Sequence, residues 1–415
     1  MTICFIADLR SSIARSWIGY FAGRHDVHVL STFPAPPLDG VATHLLAAGR
    51  QEDRWQKRKA DWSRFLDPVS WPGRLVSAAH DQFLQPLKVR WLADRAAGLV
   101  EHIQPDLVHS LRIPIEGEIG GRAVRSRHVI SAWGNDFTLY AEKSFLHRAE
   151  TRRALRGCAG FLADAQADVE RAELLGLPRS VPRLVVPGAG GIRSAIFPGI
   201  RAKDIWTRNL APLADLPADA PLVVNPRGFR RYVRNDSFFE AARLVALGHR
   251  RVCFVGVGMK GWKPIEQLVE KTGLGERVIL TPALTQNELA ALYARAAVSV
   301  SPTEHDGTPN SLLESMACGC FPVCGDLPSI REWIQDGVNG LLVRADRPLH
   351  LAAAIRRALA DGELRRTALA INAGLVKARA GYHQSMARAE AFYAALLEAP
   401  VSAPVLQPSL SEVSQ

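Results

Sequence analysis

Short runs of consecutive apolar residues alternate with longer stretches of helical period along most of the chain. TICFIAD (2–8), DVHVLST (26–32), DLVHS (106–110), RHVISAW (127–133), GFLADA (160–165) and RLVVPGA (183–189) predict strands in the first half. Helices are expected between them, over Ser11–Arg24, Trp91–Ile103, Leu146–Gly157 and Ala165–Leu175. The second half repeats the theme with LVVNPR (222–227), RVCFVG (251–256), RVILTP (277–282), AVSVSP (297–302) and CFPVCG (320–325), and with helices near 236–247, 264–272, 285–296 and 309–318. Such unbroken apolar strands, separated by helices of this length, make parallel βαβ units. After Gly340 the pattern becomes helical, over Leu349–Leu359, Glu363–Lys377 and Tyr382–Leu397, before a Pro- and Ser-rich end predicted to fray.

A chain of 415 residues, 47% of them hydrophobic, is long for one core, so two domains are expected. The stretch Pro198–Pro221 holds Pro198, Pro212, Pro217 and Pro221 without a clear period and reads as the linker. The expected class is α/β, with two Rossmann-like doubly wound domains at 1–205 and 206–380 and a central cleft between their strand carboxyl ends. Six Cys without CxxC spacing argue against a disulfide framework or a structural zinc. MTICFIADLR opens as a strand, not as a basic-then-apolar export segment, and no apolar run reaches the length of a membrane span. A reducing, cytoplasmic location is the expectation.

Charge changes the picture modestly. The net charge is +10, and only 9 of the 51 basic residues are Lys. An Arg- and Ala-rich genome accounts for this, as does an anionic small molecule or an acidic membrane surface. No zinc-finger spacing, heptad zipper or base-stacking motif accompanies the charge, so nucleic acid is not an expected partner. Residues 50–95 break the rhythm, placing Trp55, Trp62, Trp71 and Trp91 among Arg and Lys. Two readings stay open there: peripheral contact with an anionic membrane, and an ordinary core-facing stripe through Trp55, Trp62 and Phe65.

The candidate chemistry concentrates in SVSPTEHDGTPNSLLESMACGCFPVCGDLPSIREWIQDGVNGLLV (299–343). A buried strand ends at Pro302. Thr308 suits an N-cap, Pro309 the first helical position, and Gly319 a left-handed helix stop. The free N–H groups of that helix start suit a phosphate. Asp306 and Glu314 flank it, and carboxylates beside a phosphate site make sense as acceptors for hydroxyls. A nucleotide sugar carries both groups.

Asp306, seven residues GTPNSLL, and Glu314 followed by SMACGCFPV resemble the signature of glycosyltransferase family 4, retaining nucleotide-sugar transferases of the GT-B fold. Glu332, Gly337, Asn339 and Gly340 continue the likeness. The resemblance implies that Asp306 and the backbone of Gly307, Thr308, Pro309 and Asn310 hold the donor sugar, and that Glu314 holds the ribose hydroxyls. It also implies a metal-independent front-face transfer with a nucleotide sugar as co-substrate and no cofactor, a glycan, glycolipid or small-molecule acceptor on the first domain, and a helix at 381–398 packing back on that domain ahead of a flexible tail at 399–415. In NPRGFRRYVRND (225–236), Arg227 matches the family's diphosphate-gripping Arg, while Tyr232 stands where relatives carry Lys. Arg230, Arg231 or Arg234 must then be its partner, with Arg231 favoured.

Gly256 and Gly258, with Gly261, share the spacing of a dinucleotide fingerprint, but Trp262-Lys263-Pro264 delays the helix, which favours close approach of the donor nucleotide instead. In the first domain, Ser11–Ser16 and Arg15 occupy the first βα loop. His109 ends one strand and SAWGNDF places Asp136 at the end of the next. Asp136 or His109 orients the acceptor or the donor sugar, or either is a satisfied structural group. Cys318, Cys320 and Cys324 read as small packing residues, and no Asp-x-Asp suited to a metal is found. A GT-B phosphorylase, a nucleotide-sugar epimerase and a non-catalytic sugar-binding scaffold share enough of these features to stand as alternatives.

Overall fold

The computed structural model describes residues 1–46, 85–125, 127–197, 209–214, 216–217 and 219–399. Trp55, Trp62 and Trp71, the 205/206 boundary and residues 400–415 of the tail lie outside the described residues. Two compact units divide the chain. The first comprises Met1–Ala163, Val169–Val185 and the chain from Arg388; the second comprises Asp164–Asp168 and Val186–Ala387.

In chain order the elements begin β1 (Thr2–Ala7), α1 (Ser12–Phe21), β2 (Asp26–Ser31), β3 (Ala42–Leu45), α2 (Gln85–Ile103), β4 (Leu107–Leu111), α3 (Glu118–Ala123), β5 (His128–Ala132), α4 (Phe145–Gly157), β6 (Gly160–Ala163), α5 (Gln166–Leu174) and β7 (Arg183–Val185). They continue α6 (Ala211–Ala214), β8 (Leu222–Asn225), α7 (Asn235–Ala246), β9 (Cys253–Gly256), α8 (Lys263–Thr272), β10 (Val278–Leu280), α9 (Gln286–Arg295), β11 (Val298–Ser301), α10 (Asn310–Ala317), β12 (Phe321–Gly325), α11 (Pro328–Arg331), β13 (Leu341–Val343), α12 (Pro348–Ala360), α13 (Gly362–Arg379) and α14 (Tyr382–Glu398).

The first unit holds a parallel sheet of order β3-β2-β1-β4-β5-β6-β7. The second holds a parallel sheet of order β10-β9-β8-β11-β12-β13. Both are Rossmann-like: strand order grows outward from a central pair, β1 with β4 and β8 with β11. At such a switch the loops leaving the two strands diverge, and ligands of open α/β sheets bind in the crevice at their carboxyl ends.

Burial follows from the strand chemistry. In β8, Leu222 and Val224 enter one core, with Leu313 and Met316 of α10, while Val223 enters the opposite one, with Phe238 and Phe254. In the first unit, Val89, Leu92 and Ala96 of α2 pack on Cys4, Ile6 and Val108. The last turns of α14 belong to that unit. Tyr393 stacks on Phe21 with ring centroids 5.2 Å apart, and its hydroxyl accepts from Trp17 Nε1 at 3.1 Å.

Two strands have no counterpart among the sequence expectations. β3, ATHL, is half-exposed and polar and makes no apolar run, while β13, Leu341–Val343, is apolar but only three residues long. The run at 183–189 stops as a strand at Val185, because Pro187–Ala189 turn into a short 3₁₀ segment. Wide π-type turns follow β4 and β5, at Ile113–Gly117 and Asp136–Tyr140. Among the described residues, no helix is long and apolar enough to cross a membrane.

Candidate active site

In the second unit, the loops after β8 and β11 leave from the switch point. Asn225 closes β8. Its Oδ1 accepts from the Arg227 N–H at 3.0 Å, its Nδ2 donates to Asn235 Oδ1 at 3.0 Å, and Asn235 Nδ2 donates to the Gly228 carbonyl at 3.1 Å. The loop is tied to its neighbour by backbone bonds from Arg234 N to the Pro302 carbonyl (2.9 Å) and from Glu304 N to the Tyr232 carbonyl (3.0 Å). Residues 225–235 are thereby shaped by two buried amides and a short two-stranded contact.

That scaffold brings Arg227 and Asp306 together. Arg227 Nη2 donates to Asp306 Oδ2 at 2.6 Å and Nη1 donates to Ser311 Oγ at 3.0 Å. Both side chains are largely buried, at 13% and 8% exposure. Arg227 Nε is buried with no hydrogen-bond partner among the described residues. Burial pushes the Asp306 carboxyl above its ordinary range, and the Arg227 guanidinium and the Gly307 N–H oppose that shift. Glu314 lies in the second turn of α10. Burial raises its carboxyl to about 7, with Arg227 pulling the other way, and no described residue donates a hydrogen bond to it.

The expectation for the start of α10 needs a correction. Thr308 is not the N-cap. Pro309 occupies that place with extended backbone, no side chain caps the helix, and Asn310 is its first residue. The reason is that the Thr308 hydroxyl is used elsewhere: it donates to the Asp164 carbonyl at 2.6 Å and accepts from Trp333 Nε1 at 3.2 Å. Beside it, a Cβ on Gly307 would lie 2.2 Å from Asp164 Oδ1, so only glycine allows this approach. Glu332 completes the fastening of this segment, accepting from Gln166 N at 2.9 Å and Ala167 N at 2.8 Å. Thr308→Val keeps the shape and removes both hydroxyl bonds. It is expected to lower stability by about 1–3 kcal/mol, read as a shift of the urea midpoint.

Of the three candidate partners for Arg227, Arg234 is held by Asp236 at 2.7 Å and by Glu304 at 3.1 Å. Arg230 and Arg231 are exposed and have no ion-pair partner among the described residues. Gly256 ends β9. Gly258, with φ +69°, makes the turn that brings its backbone against Gly228, where an ideal Cβ would lie 3.9 Å from the Gly228 Cα. The helix α8 opens only at Lys263, with Trp262 as its N-cap residue, so the glycines do not form the strand-to-helix turn of a dinucleotide fingerprint.

In the first unit, Asp136 is buried and fully engaged. It accepts from Arg112 Nε at 3.1 Å, from Arg112 Nη2, from Trp133 N at 3.0 Å and from Ile113 N at 3.3 Å. His109 lies within β4 with no exposed surface, its Nδ1 facing the Tyr393 hydroxyl and its Nε2 facing Ser131 Oγ at 2.8 Å. Burial pushes its imidazole well below its usual range, so the ring is neutral. Arg15 donates to the carbonyls of Pro36 and Pro37 at 2.7 and 2.9 Å, and so fastens the loop after β2.

Sequence reasoning missed Arg112 and Glu116, which sit at the β1/β4 switch. Arg112 and Ile115 hold φ of +106° and +72°, a strained state for residues with a side chain. Glu116 accepts from Thr32 Oγ1 at 2.9 Å, and burial raises its carboxyl to about 7. The segment RIPIEG has neither period, so nothing in the pattern pointed to it.

Cys320 and Cys324 lie in the second unit's core and Cys318 packs against it. Among the described residues, no group of three or more His, Cys, Asp or Glu is arranged to hold a metal ion.

Arg227, Asp306 and Glu314 thus group at the β8/β11 switch. Residues 220–361 match the family model described as "Glycosyl transferases group 1". The chain has the GT-B fold and is related to that family. A D-inositol 3-phosphate glycosyltransferase of Geodermatophilus obscurus is 34% identical over 109 residues, covering 26% of this chain and 24% of that protein. The chain thus spans only about a quarter of this relative's length. Among solved structures, the sucrose-phosphate synthase of Thermosynechococcus elongatus superposes with a TM-score of 0.74 at 17% identity, over 96% of this chain and 100% of that one. HepE of Anabaena, solved in complex with UDP, gives 0.70 at 13% identity, over 95% and 100%.

Proposed function

We propose that the chain is a retaining glycosyltransferase that moves a sugar from a UDP- or GDP-sugar to a hydroxyl of a glycan, glycolipid or small-molecule acceptor. The observation that carries this reading is the buried grouping of Arg227, Asp306, Ser311 and Glu314 at the β8/β11 switch, inside the segment that matches the group 1 family. The names of its relatives support it: one glycosylates an inositol phosphate, and one similar structure holds UDP.

Each group has a chemical task. Arg227, with the exposed Arg231 on the same loop, meets the diphosphate and stabilises the charge that grows on it as the glycosidic bond breaks. Asp306 sets the guanidinium in place and, with the backbone of Gly307, Thr308, Pro309 and Asn310, borders the sugar. The uncapped start of α10 offers N–H groups to phosphate or hydroxyl oxygen. Glu314 accepts from the ribose hydroxyls, while Gly256 and Gly258 let the nucleotide approach the backbone.

In the transfer, the acceptor oxygen bonds to the anomeric carbon from the face the leaving group departs. The carbon–oxygen bond to the diphosphate breaks with its electron pair going to the nucleotide, and the acceptor proton passes to a departing phosphate oxygen. No protein nucleophile is required. We place the acceptor at the first unit's β1/β4 switch, with Asp136 as a positioning residue that holds Arg112, and we give His109 a packing role.

The reading is tested by offering UDP-, GDP-, ADP- and dTDP-sugars and measuring thermal shift and nucleoside diphosphate release. A shift with one UDP- or GDP-sugar, and release that increases with a hydroxyl acceptor, is the expected result. Absence of any shift at millimolar donor defeats the proposal. Release that depends on inorganic phosphate identifies a phosphorylase instead.

A further inference from the structure

We propose that the exposed ring pair Phe229–Trp262, with the cations around it, forms a docking surface for an anionic lipid membrane. Phe229 lies on the loop after β8 and Trp262 precedes α8. They are 37% and 50% exposed, with ring centroids 5.0 Å apart and planes inclined at 46°. Most ring contacts among the described residues involve a buried member, whereas here both rings face solvent. Two such rings packed side by side make a contiguous apolar patch, the kind of surface that a contact covers.

The charges beside the rings specify what kind of contact. Arg230 follows Phe229, and Lys260 and Lys263 bracket Trp262. All three are exposed, and none has an ion-pair partner among the described residues. Glu304 is paired with Arg234 at 3.1 Å, which leaves Glu266, an acceptor for the Gly261 N–H at 3.1 Å, as an acid beside the three cations. The patch therefore joins an apolar Phe ring and an amphipathic Trp ring to three cations. Aromatic rings settle at headgroup depth, and juxtaposed Lys and Arg add attraction to anionic lipid. Rings already packed on each other at 5.0 Å leave no slot for a nucleobase between them.

Lipid binding needs neither donor nor acceptor, so this proposal can fail while the transfer reading holds, and the reverse. If both hold, docking through the loops that carry Arg227 and Gly258 favours a lipid-borne acceptor, an extension that rests on the transfer reading.

The test is co-sedimentation of the full chain with vesicles of phosphatidylcholine alone or with about one third phosphatidylglycerol. Binding to the anionic vesicles only, weakening as salt is raised, is expected. Phe229→Ser/Trp262→Ser and, separately, Lys260→Glu/Lys263→Glu are expected to reduce partitioning by about tenfold or more, with affinity for UDP-glucose unchanged. Wild-type protein left in the supernatant overturns the proposal. So do variants that bind as the wild type does, which would move attachment elsewhere in the chain. A loss of UDP-glucose affinity in the ring variant also overturns it, since the rings would then serve the nucleotide. If the ring variant does not fold, the charge-reversal variant decides alone.

Discussion

Arg227→Ala is expected to lower stability by about 3–5 kcal/mol and turnover by about a hundred- to a thousandfold. The two losses have different origins. Asp306 is 8% exposed and is held by Arg227 at 2.6 Å, so truncating the cation strands a buried carboxylate. Removing one member of a buried pair costs far more than the pair contributes to stability, because the remaining charge keeps its desolvation penalty. In the proposed transfer, by contrast, the step would lose the cation assigned to the developing charge on the leaving diphosphate.

A double variant separates them. Arg227→Ala/Asp306→Ala removes both charges, so most of the lost stability returns while turnover stays low. Acidity offers a second check. The Asp306 carboxyl already lies above its ordinary range through burial, and without Arg227 nothing cationic opposes that as closely. The single variant therefore holds its proton in the folded state more than in the unfolded one, and its deficit shrinks as pH falls. Guanidinium unfolding at two pH values gives the comparison. A single variant as stable as the wild type at neutral pH would show that the pair is not buried as described. A double variant with restored turnover would remove Arg227 from the chemistry.

The pair also shows what could and could not be read from residues alone. Strands such as Phe321–Gly325, apolar throughout, and helices such as Asn235–Ala246 are encoded locally, and their extents were legible within a residue or two. Gly319 stops α10 with φ +80°, as its position after the small-residue run suggested. Asp306 and Glu314 were visible because they lie only eight residues apart, on one loop and the helix that follows it. The ion pair between Arg227 and Asp306 was not visible: 79 residues separate them, and only the central placing of β8 beside β11 brings their loops together. Thr308 misled for the same reason. Its local chemistry is that of a cap, yet Asp164, 144 residues earlier, captures its hydroxyl. The short excursion Asp164–Asp168 into the second unit has no compositional mark at all, because Glu332 and Thr308 hold it through its backbone groups.

Glu314 carries the second large effect, one that changes with pH. Burial raises its carboxyl from 4.5 to about 7 in the folded chain. Between those values the folded state retains a proton that the unfolded state has released, so unfolding releases protons and stability falls as pH rises through the window. The total amounts to roughly 3 kcal/mol at 1.36 kcal/mol per unit. Other buried carboxyls, Glu116 and Glu118 among them, titrate upward too, so the wild-type curve alone does not isolate Glu314. Glu314→Gln does. Whatever the amide costs at acid pH, the variant should gain on the wild type by about 3 kcal/mol between pH 4.5 and 8.

If Glu314 holds the ribose as proposed, donor binding is expected to move the opposite way. A carboxylate accepts the two ribose hydroxyls better than a neutral acid does, so the donor draws the proton off and affinity rises with pH up to about 7. The diphosphate diester of a nucleotide sugar keeps its charge across this range, so the slope reports the protein. For the wild type, donor affinity should weaken about fivefold from pH 7 to 6. For Glu314→Gln it should be flat there and about ten- to a hundredfold weaker at pH 8, the difference expected when a charged acceptor becomes a neutral one. Calorimetric titration at three pH values reads both quantities. Equal slopes in the two proteins would mean that Glu314 does not touch the nucleotide, and the hydroxyl-binding role of α10 would then be lost.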